Sequence, residues 1–256
     1  MQSSALGLTS DSCEGVRVLD SKRTILVSGS SGFIGTFVSK TLVELGYEIV
    51  ELDIKRAENP CDLTSPDSVE RWFEAAKSKH PTVFALVNCV GIPDAAGGQS
   101  AKDITEVTSA SFQLHLKVNL ESVFTLMREF VRYYRDSAEH IINVSSLYSV
   151  VAPRLDLYDG NIKHPGYIAS KTGLVGLSKY CAVLCAKDNI KVNCVAPAAV
   201  AETAGVNGAF LEKYNLNVPL HRPIPLQEVA DAIVFLLKNE NITGQNLIID
   251  GGYSLW

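Results

Sequence analysis

The sequence predicts an α/β protein built on a single doubly wound parallel sheet with helices on both faces. Three observations lead there. Short apolar runs alternate with stretches of helical period along most of the chain. The runs are apolar at consecutive positions, as in strands buried on both faces. No change of composition, internal repeat or Gly/Ser-rich linker divides the 256 residues into two units.

Residues 1–22 are polar and aperiodic and read as a poorly ordered extension before one domain over 23–256. Thr24, Ile25, Leu26, Val27 and Ser28 make the first strand, which stops at Gly29. Ile34, Val38, Leu42 and Leu45 mark a helix closed by Gly46. A strand over 47–52 ends at Asp53, and 83–87 is the next strand. Residues 109–134 read as one long helix carrying Leu114, Val118, Leu120 and Phe124. A strand at 140–144, a helix at 167–187 and a strand at 190–195 follow. Val229, Ile233, Leu236 and Leu237 give 228–238 an apolar helix face, and 247–249 closes the sheet.

Apolar residues make up 46% and charged residues 20%, an ordinary globular mix. No stretch approaches the ~20 apolar residues of a membrane span, so no membrane role is expected. A net charge of −5 lacks the basic footprint of a nucleic-acid binder. Cys13, Cys61, Cys89, Cys181, Cys185 and Cys194 show no CxxC pair and no Cys/His ligand spacing. They read as reduced, mostly buried thiols, with no metal site. The N-terminus shows no basic segment followed by an apolar run, so a cytoplasmic setting is expected.

Gly29, Gly32 and Gly35 fall three apart, directly after the first strand and at the start of the first helix. A dinucleotide site needs small residues there: one for the tight turn, one for the approach of a pyrophosphate, one for close helix–strand packing. The helix N-terminus adds free N–H groups and about half a positive charge. Asp53 ends the second strand, where a carboxylate can accept hydrogen bonds from the adenosine ribose and would repel a 2′-phosphate. NAD is therefore the expected cofactor, and Lys55 and Arg56 leave NADP as the lesser alternative.

Tyr167 and Lys171 are four apart, on one helix face. A tyrosine with its usual pKa of ~10 must be lowered by about 3, roughly 4 kcal/mol, to act as a base near pH 7. One cation at about 4 Å at an effective dielectric of ~20 supplies a similar amount. Upstream, Asn143, Val144, Ser145 and Ser146 end a strand, so the hydroxyls face the ligand crevice.

At these residues the chain resembles the short-chain dehydrogenase/reductases, in their short single-domain branch, over about residues 23–254. The family's motifs occur in order: the glycine loop, Leu86 to Gly91, Asn119, Asn143 to Ser146, Tyr167 with Lys171, Asn193 to Pro197, and Asp250 with Gly251 and Gly252. The resemblance implies a Rossmann-type oxidoreductase. Tyr167 would be the general acid/base, Lys171 would bind the nicotinamide ribose and lower the tyrosine pKa, and Ser146 would hold the substrate oxygen. Asn119 would hold a water in a proton relay by distorting its helix. Around the dinucleotide the resemblance places Gly29, Ser31, Gly32, Phe33, Ile34, Gly35, Asp53, Leu63, Val90, Gly91 and Pro197. Asp62 would reach the adenine edge, Asn88 would line the adenosine side, and Val200 would contact the carboxamide. Ser145 reads as structural, His164 as a solvent-facing loop residue and His115 as an ordinary helix residue.

Three features depart from the family pattern. Phe33 stands where short members usually carry glycine or alanine, a spacing more like the longer branch of sugar-nucleotide epimerases. Ala198 follows Pro197 where glycine is common, and the expected threonine comes one residue late at Thr203, behind Glu202. The span from Ser146 to Tyr167 is long: Val150, Val151, Ala152 and Pro153 lead into a polar loop over 154–165 with Tyr158 and Asp159. That loop should overhang the substrate crevice, and it resembles inserts in reductases of bacterial surface-carbohydrate pathways. Residues 203–220 read as a lid, with Gly205 and Gly208 as hinges and Phe210, Leu211 and Tyr214 as cover.

The expected activity interconverts a secondary alcohol and a ketone on a small-molecule substrate, with a sugar-derived compound as one candidate. A 3-oxoacyl-thioester reductase is the enzymatic alternative, and a dinucleotide-sensing binding module the non-enzymatic one. The resemblance implies a homodimer or homotetramer, and the tail Tyr253, Ser254, Leu255 and Trp256 could reach a neighbouring subunit.

Overall fold

The computed structural model describes residues 23–55, 59–93, 101–201 and 208–255. The expected extension over 1–22, together with Cys13, Arg56, Glu202, Thr203, Gly205 and Trp256, lies outside the described residues.

The strands are β1 (Thr24–Ser28), β2 (Glu48–Leu52), β3 (Ala85–Asn88), β4 (His140–Val144), β5 (Lys191–Pro197) and β6 (Asn246–Ile249). They form one six-stranded sheet in the order β2-β1-β3-β4-β5-β6. Each pairing is parallel. The chain leaves β1 toward β2 and returns on the other side to β3. The resulting switch point opens a crevice at the carboxyl ends of β1 and β3. β1, β3, β4 and β5 are buried at every position, which accounts for their unalternated apolar runs.

The helices are α1 (Phe33–Glu44), α2 (Pro66–Lys79), α3 (Ser109–Leu116), α4 (Ser122–Tyr134), α5 (Pro165–Cys185), α6 (Gly208–Leu216) and α7 (Leu226–Leu237). One face of the sheet packs Leu26, Leu86, Ile141 and Val192 against α2, α4 and α5. The other packs Ile25, Val27, Val87 and Val195 against α1 and α7. The sequence reading passes over α2, although its signals are present. Ser65 caps it, Pro66 and Asp67 open it, and Val69, Trp72, Phe73 and Ala76 bury one stripe.

The expected single helix over 109–134 is broken. Between α3 and α4, Lys117–Glu121 form a π turn centred on buried Asn119. A π turn inserts one residue into the helical ladder and redirects a side chain. Here that side chain is the Asn119 amide, whose Oδ1 accepts the N–H of Ile92 at 2.7 Å.

A chain of buried polar groups crosses the sheet at its carboxyl edge. Ser28 Oγ donates to Asn88 Oδ1 (2.7 Å), Asn88 Nδ2 to Asn143 Oδ1 (2.8 Å), and Asn143 Nδ2 to Ser178 Oγ on α5 (2.9 Å). Ser28, Asn88 and Asn143 are register partners on β1, β3 and β4. The three strands are thereby tied level, with every polar atom of the thread paired away from water.

At the opposite end of β4, His140 is buried, with its ring edge-on to Phe84. Burial, reinforced by the Lys191 ammonium, pushes its pKa down from 6.5 to about 4. The unfolded chain therefore binds more protons than the folded one between pH 6.5 and 4, and stability falls as pH drops through that window. His140→Leu is expected to flatten this acid dependence by about 2–3 kcal/mol in denaturant melts at pH 7 and pH 4. Superimposable pH dependences would show that His140 charges freely in the fold.

Candidate active site

The glycine loop packs backbone against backbone at the switch point. Gly29 has φ +67°, and a Cβ there would lie 2.6 Å from the Val90 N. A Cβ on Gly35 would run into the Gly29 carbonyl. These two glycines let β1, β3 and α1 meet. Gly32 stands at the N-cap of α1, with no side-chain cap and no acidic residue in the first turn. The first N–H groups of a helix have no intrahelical partner, so an uncapped start of this kind suits an anion. Asp53 projects from the end of β2 to the same place, where its carboxylate accepts the N–H of Ser31 (3.1 Å) and of Lys55 (2.9 Å).

Beside this loop, β3 leads into Cys89, Val90 and Gly91. A Cβ on Gly91 would stand 3.4 Å from both Asn119 Oδ1 and Lys171 Nζ. Two side chains from different helices thus converge on one bare stretch of backbone. Asn119 also donates to Ile92 O and Ser170 Oγ, both at 3.3 Å, and Ser170 Oγ donates to Tyr167 O at 2.8 Å. The π turn, the loop after β3 and the Tyr–Lys segment of α5 are one hydrogen-bonded unit.

Lys171 Nζ donates to Val144 O at 2.9 Å. Burial lowers its pKa from 10.5 to about 8. Burial likewise pushes the Cys89 thiol up to about 12, so it stays protonated. Ser145 Oγ donates to Lys171 O at 3.0 Å, in keeping with a structural role. Ser146 follows as the cap of a short 3₁₀ turn, its Oγ accepting the Tyr148 N–H at 3.2 Å. Tyr167 sits in the first turn of α5 and is half-buried.

Several expectations need correction. The Asn88 side chain does not line the adenosine side, because its amide is committed within the sheet to Ser28 and Asn143. The Leu63 side chain is core, while Asp62 stays exposed, with Oδ1 accepting the N–H and Oγ of Thr64 (2.9 and 2.7 Å). The Val200 side chain is also core, bridged to Ile224. Ile224 bonds the backbone of Ala199 and Ala201, so the N–H and C=O of Val200 point away from it. Tyr253 packs in its own chain, stacked on Tyr214 at 5.7 Å, rather than on a neighbour. His164 is buried rather than solvent-facing, and His115 is fully buried against it. Their spacing from Tyr167 and Asn119 was the signal for them: three residues before the one, four before the other.

The long insert folds down rather than trailing in solvent. Leu157 joins Leu147, Tyr214, Val218 and Tyr253 in a small third core. The Tyr158 hydroxyl pairs with that of Tyr148, and its ring meets Phe210 of α6 at 5.9 Å. Lys213 of α6 pairs with Asp159 at 2.5 Å. The insert and α6 thus form one flap, with Tyr214 buried as its anchor instead of serving as an exposed cover.

A family model described as enoyl-(acyl carrier protein) reductase matches residues 34–254. The chain is a short-chain dehydrogenase/reductase. Nodulation protein G of Rhizobium sp. (strain N33) is 32% identical to it over 255 residues, covering 91% of this chain and 97% of that protein. The 3-oxoacyl-[acyl-carrier-protein] reductase FabG of Buchnera aphidicola is 30% identical over 251 residues, covering 90% and 97%. The crystal structure of a short chain dehydrogenase from Leptospira borgpetersenii with bound NAD+ has the same fold, with a TM-score of 0.82 at 24% identity over 91% of this chain and 93% of that one. This short-chain dehydrogenase/reductase is accordingly an oxidoreductase with a single Rossmann-type sheet.

Holding Lys171 in the interior costs stability wherever it is charged. Below about pH 8 that cost is fully present, and it fades by pH 10.5, where folded and unfolded chains both lose the proton. Lys171→Met is expected to stabilise the protein by about 1–2 kcal/mol at pH 7, after loss of the bond to Val144 O is counted, and to abolish activity. The gain should vanish as urea melts are moved toward pH 10.5. A destabilised variant at pH 7 would contradict the assignment.

Proposed function

We propose that this short-chain dehydrogenase/reductase interconverts a secondary alcohol and a ketone with NAD(H). The observation that carries the reading is the convergence of Lys171 Nζ and Asn119 Oδ1 on the bare backbone of Gly91, one helical turn from Tyr167. The residues present fit a dinucleotide. Gly29, Ser31, Gly32, Phe33, Ile34 and Gly35 would cradle the pyrophosphate, on a loop whose tight fold leaves no room for a Cβ at Gly29 or Gly35. Asp53 would meet the adenosine ribose, with the Asp62–Leu63 turn near the adenine. Val90 and Gly91 would lie along the cofactor, and the backbone after Pro197, at Val200, would take the carboxamide.

When bound, the nicotinamide supplies or accepts a hydride at the carbinol carbon. The protein's own groups handle the proton. In the oxidative direction the substrate hydroxyl gives its proton to the Tyr167 oxygen, and in reduction the same oxygen returns it to the forming alkoxide. Ser146 Oγ orients the substrate oxygen. Lys171 holds the ribose and lowers the tyrosine pKa through its charge. Asn119, fixed by Ile92 and Ser170, is placed to hold a relay water.

The flap supports a polar, sugar-derived substrate: it brings the paired hydroxyls of Tyr148 and Tyr158 and the polar residues Asn161 and Lys163 to the segment after Ser146. The 3-oxoacyl-thioester alternative is supported by the similarity to the Buchnera reductase. A homodimer or homotetramer is proposed through α4 and α5, whose Phe124, Tyr180, Val183 and Leu184 are exposed. The buried thiols suit a cytoplasmic setting.

NADH oxidation with a panel of keto-sugars beside an acetoacetyl thioester tests the substrate class, with Tyr167→Phe as the blank. Turnover of keto-sugars alone is expected, lost by about 10³-fold or more in the blank. Turnover of the thioester alone would replace the carbohydrate reading. Full activity of Tyr167→Phe would remove the tyrosine from the chemistry. For the cofactor, Asp53→Asn keeps an acceptor for Ser31 but drops the charge. It is expected to narrow the preference for NADH over NADPH by about tenfold, roughly 1.4 kcal/mol. Equal use of both by the wild type would overturn the assignment of NAD.

A further inference from the structure

Two buried histidines stand behind Tyr167, and the proposed reaction gives neither a role. His115 on α3 is fully buried, and His164, just before α5, is 5% exposed. Their ring centroids lie 4.3 Å apart, and His115 is edge-on to the Tyr167 ring at 6.3 Å. His164 is the N-cap of α5, with Nδ1 accepting the Gly166 N–H at 3.0 Å. An accepting Nδ1 carries no proton, so the neutral ring bears its hydrogen on Nε2. That Nε2 stands 3.0 Å from Ser111 Oγ on α3. Ser111 Oγ in turn donates to Thr108 O at 2.9 Å, at the start of α3.

The placement matters because Tyr167 occupies the third position of α5. Its N–H reaches only back to the His164 carbonyl, at 2.9 Å. The two residues before it are Pro165 and Gly166, and a Cβ on Gly166 would lie 2.9 Å from Phe112 O and 3.0 Å from His115 Cβ. The first turn is thus laid directly on α3 with no side chain of its own in between. A first helical turn frays without its cap. His115 lies four residues before Asn119, so α3 frames both the tyrosine and the asparagine.

We propose that neutral His164, packed against His115, is a positioning residue that pins the first turn of α5 to α3 and so fixes Tyr167 one helical turn before Lys171. The proposal rests on the reading of Tyr167 as the proton-transferring group. A capped turn keeps the phenol one helical turn from the ammonium, whose charge favours the phenolate. A frayed turn loses that placement, and the phenol then holds its proton to higher pH. Among the described residues, the titratable groups within two turns of His164 on the elements packed against it are His115 on α3 and Tyr167 and Lys171 on α5. In its own loop, Lys163 Nζ lies 4.5 Å from the Tyr158 ring centroid.

The test needs no substrate. Tyrosinate absorbance is titrated for the ligand-free protein, and the Tyr167→Phe trace is subtracted to isolate the Tyr167 step. In His164→Ala that step is expected to move up by about 1 pH unit, a tenfold change in proton affinity. His164→Asn keeps a side-chain acceptor at the cap and is expected to restore the wild-type step. Circular dichroism checks folding. Ser111→Ala, which removes only the contact to Nε2, is the second variant if His164→Ala does not fold, and it should give a smaller upward move. An unmoved step in a folded His164→Ala or Ser111→Ala, or a His164→Asn that behaves like alanine, overturns the positioning role alone. A wild type with no step below the ordinary tyrosine range overturns the acid/base reading of Tyr167, and this proposal with it.

Discussion

The buried thread from Ser28 through Asn88 and Asn143 to Ser178 is the interaction on which the arrangement of the site depends. Each of its three strand members stands just before a segment of the site. Gly29 follows Ser28, Gly91 comes three residues after Asn88, and Ser146 three after Asn143. Ser178 lies seven residues beyond Lys171, two turns along the same helix. Three strands and one helix therefore deliver their functional residues at a common level. Amides buried at 0–1% exposure tolerate no slip in register, because a displaced strand would leave an unpaired polar group in the core. The register of the sheet and the geometry of the site are set by the same bonds.

The site itself is built at the expense of stability. Lys171 is buried against the backbone, with no carboxylate among its hydrogen-bond partners in the described residues, and burial lowers its pKa from 10.5 to about 8. The π turn at Asn119 gives up regular helical bonding so that one amide can clip Ile92 and reach Ser170. Gly29 adopts a left-handed backbone to bring two strands and a helix into contact. Each is a local departure from the most stable choice, and each lies within the same small volume. Such clustering is expected where function rather than folding selects the residue.

A second layer stands over the first. The insert between Ser146 and Tyr167 and helix α6 are far apart in sequence but share an aromatic ladder, with Tyr158 on Phe210, Phe210 on Tyr214 and Tyr214 on Tyr253. Burial and the neighbouring Tyr158 hold the Tyr148 phenol well above its ordinary range, so that hydroxyl stays protonated. The flap thus has its own small core, separate from the two that clad the sheet. Its sequence can vary without disturbing the frame that holds Tyr167 and Lys171.

Sequence by itself determined the parallel sheet, the glycine loop, the Tyr167–Lys171 pair and the family, because each is encoded in local spacing. Unalternated apolar runs mean two buried faces, three glycines after a strand mean close backbone approach, and a separation of four means one helix face. Helix α2 was equally legible in Ser65, Pro66 and the stripe from Val69 to Ala76. Other features were decided only when strands and helices met. Asn88 reads as a crevice residue in its motif, yet pairing with Ser28 and Asn143 turns its amide into the sheet. His115 and His164 are 49 positions apart and look like unrelated polar residues until α3 and α5 pack and bring their rings together. Tyr253 reads as part of a free tail until Tyr214 covers it. The physical reason is the same in each case. Period and spacing fix which face a side chain takes on its own element, whereas burial and hydrogen-bond partners depend on what the opposing element brings to that face.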